Sequence, residues 1–200
     1  MTTNTGRLIA FEGLDQSGKE TQATRLANRL TARGRLVSLA AFPDRSTPIG
    51  AEIERALRGQ REYRADVMQL LYVANRYEWK PAIAAMLAEG RAVICDRYLA
   101  SSVAYGEAQG LDPDWLFDIQ RLLPQPDLTL LLDIAPATAV QRKRANRDRF
   151  ESDLELLERV RRSYWRQAGA AGWQRIDGER TPDLVEQDVI SLVSRQLALL

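Results

Sequence analysis

Leu8-Ile9-Ala10-Phe11-Glu12-Gly13-Leu14-Asp15-Gln16-Ser17-Gly18-Lys19-Glu20-Thr21-Gln22 starts as an apolar run and breaks into two glycines and a lysine. Gly13 and Gly18 bracket four residues and Lys19 follows, which is the GxxxxGK spacing of a phosphate-binding loop joining a strand to a helix. Glycine lets backbone N–H groups turn inward around an anion, and the lysine ammonium reaches the β- and γ-phosphates of a nucleotide. The flanks agree: Leu8 to Phe11 reads as a buried strand, and Ala23, Leu26, Ala27 and Leu30 recur at helical spacing just after the loop. Gly13, Leu14, Asp15, Gln16, Ser17, Gly18, Lys19, Glu20 and Thr21 are thus candidate nucleotide contacts. One position departs from the pattern. The motif has Ser or Thr after the lysine to hold Mg²⁺, whereas this chain has Glu20, with Thr21 one place out of register.

The rest of the composition is ordinary. Two hundred residues suit one domain spanning 1–200, and 45% apolar with 28% charged residues fits a globular chain with a proper core. The net charge of +1 argues against a general affinity for nucleic acid or an anionic membrane. No histidine occurs, so histidine triads and histidine metal sites are excluded. The lone Cys95 forbids an internal disulfide and fits a reducing compartment. The first residues lack the basic start and apolar core of a targeting segment, and no apolar run reaches membrane length, so the expectation is a cytoplasmic enzyme. Of 28 basic residues only Lys19, Lys80 and Lys143 are lysine, so the lysine of the loop is not drawn from a lysine-rich background.

After the first helix, Gly34 acts as a stop, and Leu36, Val37 and Leu39 supply a short strand ending at Phe42-Pro43. Pro48 starts a helix with Ile49, Ile53, Ala56 and Leu57 on its apolar face, closed by Gly59. Residues 65–89 carry helical spacing with Val67, Leu70, Leu71 and Ala74 inward, and Pro81 marks a kink or a fresh start. Ala92 to Cys95 is a strand-length apolar run that ends in Asp96-Arg97-Tyr98. A helix from near Ser101 covers Ala108, and Asp112-Pro113-Asp114 starts another through Leu122. Leu128 to Leu132 form a buried strand closed by Asp133. A helix from Pro136 leads into a basic run at 142–149, a charged helix covers about 151–168, Trp173 to Asp177 give a last strand, and Pro182 opens a closing helix. Strands apolar throughout and separated by helices imply a parallel α/β sheet of about five strands, covered on both faces.

In such a sheet ligands sit outside the carboxyl ends of the strands. Those ends carry Asp15, Arg45, Asp96, Arg97 and Asp133; for Asp133 a structural pairing and a ligand role both remain open. The basic run is by default a solvated helix face or a patch for polyanions.

Taken together these residues resemble the thymidylate kinase family of P-loop nucleoside monophosphate kinases, which convert dTMP to dTDP. The resemblance is carried by Phe-Glu-Gly-Leu-Asp-Gln-Ser-Gly-Lys at 11–19, Phe-Pro-Asp-Arg-Ser-Thr-Pro-Ile-Gly at 42–50 and Leu-Tyr-Val-Ala-Asn-Arg-Tyr-Glu at 71–78. Asp-Arg-Tyr-Leu-Ala-Ser-Ser-Val-Ala-Tyr at 96–105, Pro-Gln-Pro-Asp-Leu at 124–128 and Asp-Arg-Phe-Glu at 148–151 complete the set. It spans nearly the whole chain. It implies the P-loop kinase fold with a short basic lid at about 136–150, ATP and Mg²⁺, dTMP as acceptor, and commonly a homodimer, for which the apolar face of the helix near 65–80 is the expected interface.

The likeness also implies residue roles. Tyr72, by spacing alone a core aromatic, takes the place of an aromatic stacked on thymine; Arg76 donates to thymine O4, and Phe42, Ser101 and Ser102 lie near the base. Asp15 accepts from the sugar 3′-hydroxyl and Tyr105 crowds the place of a 2′-hydroxyl. Arg45 and Arg97 clamp the acceptor phosphate, where a guanidinium fork matches phosphate oxygens. Relatives differ in whether a basic residue follows the loop aspartate. Here that residue is Gln16, so catalytic positive charge is expected from Arg144 and Arg147 of the lid, with Arg142 packing on adenine. Asp96 and Glu20 are the expected carboxylates near the metal's water shell. Glu107 follows Gly106 where many relatives have Gln next after the tyrosine. The rival readings are another nucleotide or deoxynucleoside kinase on this fold, and a non-catalytic nucleotide binder, the latter because of Glu20.

Overall fold

A strand that is apolar on both sides, such as β1 (Arg7–Glu12), is stable only inside a covered sheet. In the computed structural model, which describes residues 6–142 and 153–200, it is the central strand. It pairs in parallel with β3 (Ala92–Asp96) on one side and β4 (Leu128–Asp133) on the other, while β2 (Val37–Ala41) and β5 (Trp173–Asp177) form the edges. The strand order is β2-β3-β1-β4-β5.

Alternate residues of β1 serve opposite layers. Ile9 and Phe11 join the core under α1 (Lys19–Ala32) and α8 (Pro182–Leu197), where Leu26, Leu30, Val189 and Val193 are buried. Leu8 and Ala10 face the other layer, with Ile83 of α3 (Ala65–Ala88), Val93 and Tyr98. That layer continues through α4 (Leu99–Ala108) and α7 (Leu154–Gln167), which bury Ala104, Leu157, Val160 and Tyr164 against Leu131. Three shorter helices complete the described chain: α2 (Pro48–Leu57), α5 (Pro113–Asp118) and α6 (Pro136–Arg142).

The five strands, their parallel sense and the helices between them match the sequence reading. Details differ for physical reasons. Leu36 lies outside β2 and is 54% exposed, and Leu39 is 47% exposed because its strand is an edge. Pro81 sits inside α3 without ending it. The inward face of α3 is also rotated from the expected one: Val67 and Leu70 point outward, while Met68, Gln69, Val73, Asn75 and Arg76 are buried. Asn75 explains part of that turn. Its Oδ1 accepts from Asp44 N at 2.8 Å and its Nδ2 donates to Asp44 O and Thr47 Oγ1, pinning the loop that carries Arg45. Helix α5 stops at Asp118 rather than reaching Leu122, and α7 starts at Leu154, capped by Asp153, whose Oδ1 accepts from Leu156 N at 3.0 Å.

Candidate active site

The loop after β1 is shaped by backbone that runs through positive φ at Gly13 (141°), Gln16 (64°) and Gly18 (95°). A Cβ on Gly13 would stand 2.4 Å from Leu132 O, so only glycine fits where the loop leaves the sheet. Gly18 then caps α1 in a left-handed conformation with no side-chain cap, and a helix start of this kind leaves its first-turn N–H groups for an anion. Lys19 is 5% exposed and folds back over this loop, donating from Nζ to Leu14 O at 2.7 Å and Ser17 Oγ at 3.4 Å. Burial, and next the Arg97 charge, pull the Lys19 ammonium down to about 8. Leu14 is a core residue by its side chain and offers the site only its backbone. Gln16, Glu20 and Thr21 are exposed. Arg142, at the end of α6, donates to Gln16 O at 3.2 Å, Gly178 O at 3.0 Å and Glu179 O at 3.3 Å, tying the loop to the segment after β5. Arg144 and Arg147 lie outside the described residues.

Beside the loop opens a cleft of about 600 Å³, walled by α3, α4 and the ends of β2 and β3. Eleven of the candidate site residues named from the sequence line it. Asp15, Glu20, Asp96 and Arg97 stand at its loop end, Phe42 and Arg45 on the segment after β2, and Tyr72, Arg76, Ser101, Ser102 and Tyr105 on α3 and α4. Arg76 is 3% exposed and no carboxylate among the described residues pairs with it. Its Nη1 donates to Ser102 Oγ at 2.7 Å, its charge lies 5.9 Å from the Phe42 ring centre, and its Nε has no partner among the described residues. Burial holds its pKa below the usual value, so the cleft wall carries a cation that is costly to bury. Gln69, unmarked in the sequence, lines the same wall at 1% exposure with Oε1 unpartnered.

Arg97 stands where loop and cleft meet. Its Nη2 donates to Asp15 Oδ1 at 2.7 Å and Tyr105 Oη at 3.5 Å. Its Nη1 donates to Gly13 O at 3.1 Å, Ser101 Oγ at 3.2 Å and Tyr164 Oη at 3.4 Å. Asp15 also accepts from Tyr105 Oη at 3.1 Å. Burial pushes the Asp15 carboxyl up, but the Arg97 and Lys19 charges outweigh it and hold the group well below the ordinary carboxylate value. Arg45 is an exposed rim residue whose Nη1 is 2.9 Å from Glu54 Oε2.

Three residues singled out in the sequence take hydrogen-bond partners from distant segments. Ser101 lines the cleft, and its hydroxyl is shared: it donates to Glu12 Oε2 at 2.6 Å and accepts from Arg97 Nη1 at 3.2 Å. Asp133 takes the structural alternative, receiving Arg161 Nε at 2.8 Å and Nη2 at 3.2 Å. Glu107 pairs with Ser163 and Arg166 of α7, and a Cβ on Gly106 would meet Leu116 Cδ1 at 2.6 Å, so a side chain there would require Leu116 to shift. The residue the sequence passed over is Glu12. Fully buried at the end of β1, it accepts from Tyr98 N at 2.8 Å and Ser101 N at 3.3 Å, capping α4 from another segment because Tyr98 supplies no side-chain cap. A carboxylate that terminates an apolar strand was the available signal.

A phosphate loop at the centre of a parallel sheet, facing an arginine-bearing cleft, defines a P-loop kinase that acts on a small phosphorylated acceptor. The sequence model of the family described as Thymidylate kinase matches residues 11–189. The chain belongs to the thymidylate kinase family, enzymes that phosphorylate dTMP. It is 38% identical over 163 residues to the thymidylate kinase of Schizosaccharomyces pombe, covering 82% of this chain and 77% of that protein. With the human thymidylate kinase it shares 32% over 192 residues, 94% of this chain and 90% of the relative. With the probable thymidylate kinase of Pyrobaculum calidifontis the identity is 39% over 198 residues, 96% and 98% of the two chains. A solved structure of the Candida albicans thymidylate kinase superposes with a TM-score of 0.87 at 29% identity, covering 98% of this chain and 94% of that one.

Proposed function

We propose that this chain, acting as one domain, transfers the γ-phosphoryl group of ATP to dTMP, giving dTDP, by direct in-line displacement. The observation that carries the reading is Arg97, which touches the phosphate loop through Gly13 O and reaches the cleft beside Asp15 and Tyr105. A guanidinium there lies between the places of donor and acceptor. The main work of such a site is to neutralise and align two anions. The acceptor phosphate has its second pKa near ~6, so its attacking oxygen is mostly ionised at neutral pH and needs no general base. That suits a chain without histidine.

In this reading Lys19 and the loop N–H groups hold the donor phosphates, with Arg142 against adenine and Arg144 and Arg147 adding positive charge from the lid. Arg97 and Arg45 receive the acceptor phosphate, Arg45 exchanging Glu54 for it. Tyr72 and Phe42 flank the base, Arg76 donates to O4 while Ser102 orients it, Asp15 takes the 3′-hydroxyl, and Tyr105 fills the 2′ position. Production of dTDP from ATP and dTMP in a coupled assay is the expected result, with dTMP favoured over dUMP, dCMP and AMP. A strong preference for thymidine, or binding of both nucleotides without dTDP, would overturn it.

The donor set also suits Mg²⁺. Asp96 Oδ1 is buried without a hydrogen-bond partner among the described residues, and Glu20 lines the same cleft. Mg²⁺ takes oxygen ligands and keeps several waters, so one or two carboxylates with substrate phosphates suffice. When bound, the ion would offset phosphate charge during transfer. Glu20→Ser is expected to weaken the apparent Mg²⁺ affinity of turnover by about tenfold. An unchanged Mg²⁺ titration would take Glu20 out of the metal's surroundings.

We also place a homodimer contact on the outer face of α3, where Val67 is 37% and Leu70 46% exposed one turn apart. Light scattering should give twice the 22.6 kDa chain mass, and Leu70→Glu should halve it; a wild-type monomer refutes the dimer. No helix among the described residues is long and apolar enough to cross a membrane. With Cys95 as a buried free thiol, the cytoplasm is the proposed compartment, to be checked by fractionation.

A further inference from the structure

We infer that Tyr164 is a positioning residue for the acceptor phosphate: its phenol, carried by α7, fixes the Nη1 edge of Arg97 so that the guanidinium fork is aimed before the acceptor arrives. The inference rests on the reading of Arg97 as acceptor clamp, and goes beyond it by naming what holds the clamp.

Tyr164 is 1% exposed, and its hydroxyl meets three polar groups. Oη donates to Glu12 Oε2 at 3.1 Å, lies 2.9 Å from Ser101 Oγ, and accepts from Arg97 Nη1 at 3.4 Å. The proton count gives this contact its direction. Glu12 is 0% exposed and, as a carboxylate, only accepts; Ser101 Oγ already donates to its Oε2 at 2.6 Å. A hydroxyl has a single proton. With the protons of Ser101 and Tyr164 both drawn toward Glu12, lone pairs remain on the side of Arg97, and this edge of the guanidinium is received as a donor. Burial, and next the Glu12 charge, push ionisation of the phenol upward, so its proton persists through the working range.

Tyr164 differs from the other partners of Arg97 in where it comes from. Ser101 is four residues on in the same turn and Tyr105 is in the same helix, while Gly13 and Asp15 belong to the phosphate loop. Tyr164 is 67 residues away and, among the described residues, ties the clamp to a third segment. Arg97 needs such support. Its φ of 61° is left-handed, a conformation that a residue with a Cβ keeps only where its surroundings over-determine it.

The test is steady-state kinetics of Tyr164→Phe, with dTMP and ATP varied in turn, beside the wild-type protein. A rise of about tenfold in the KM for dTMP is expected, from a lost hydrogen bond to a charged group, with the KM for ATP unchanged. Combined with Arg97→Ala, the same change should add nothing, because Tyr164 acts through Arg97. Ser101→Ala, which removes the other hydroxyl between Glu12 and Arg97, should move the dTMP KM in the same direction and keeps the question open to measurement if the phenylalanine variant does not fold. Unaltered kinetics in a folded Tyr164→Phe, an equal rise in both KM values, or full additivity with Arg97→Ala would overturn the inference while leaving the kinase reading intact. A wild-type protein that makes no dTDP would instead overturn that reading, and this inference with it.

Discussion

Arg97→Ala is expected to lower kcat/KM for dTMP by about 10³-fold while the protein stays folded. The size follows from what the side chain does at once. It brings charge to the junction of phosphate loop and cleft, it offers a fork that matches two phosphate oxygens, and it balances Asp15 at 2.7 Å. Removing it withdraws the cation and leaves a partly exposed carboxylate at the same spot, so the acceptor phosphate would meet net repulsion. Arg97→Lys should recover little, because an ammonium cannot reproduce the fork or reach Asp15, Gly13 O and the hydroxyls together. Stability should change less than activity: Arg97 belongs to none of the apolar clusters, and alanine keeps the same left-handed backbone position without adding to it. Kinetics beside a thermal melt of each variant decide the matter. A folded Arg97→Ala that turns over dTMP at near wild-type rate would remove Arg97 from the site.

The parts of this site legible in the chain were those whose signal is local. Gly13, Gly18 and Lys19 sit within seven residues, and each answers a backbone or charge requirement of that segment alone. Asp96 and Arg97 were found because a parallel sheet puts strand ends at the ligand edge, which needs only the strand to be recognised. What stayed hidden depends on partners far away in sequence. Nothing near Ser101 announces that Glu12 and Arg97, 89 and 4 residues distant, share its hydroxyl. Apolar periodicity put Val67 and Leu70 inside α3, yet the buried face is set by Gln69, Asn75 and Arg76, polar residues that a period rule sends outward. Tyr164 reads as one more residue on the apolar stripe of α7, and nothing in its neighbourhood announces the hydroxyl's partners.

Lys19→Met should reduce kcat by about 10²–10³-fold and flatten the pH dependence of ATP binding. Methionine keeps the length of the stem and the burial, so the change isolates the charge. Among the described residues Lys19 donates to Leu14 O and Ser17 Oγ, groups that carry no full charge, and desolvation with Arg97 nearby brings its pKa to about 8 from 10.5. Polyphosphate favours the protonated form, so the pKa rises again on binding. Below pH 8 the lysine is already charged and ATP affinity should be flat on its account; above pH 8 binding must take up a proton, and the Kd should rise by up to about tenfold per pH unit. The same shift fixes a sign for the free protein. The folded state gives up its proton more readily than the unfolded chain, so this group costs stability below pH 8, and that cost disappears as pH climbs from 8 toward 10.5. Calorimetric titrations of ATP from pH 7 to 9.5 check the binding limb, and melts of the free protein over the same range check the other. A wild-type Kd that stays level above pH 8, or a slope that survives in Lys19→Met, would show that Lys19 does not meet the donor phosphates.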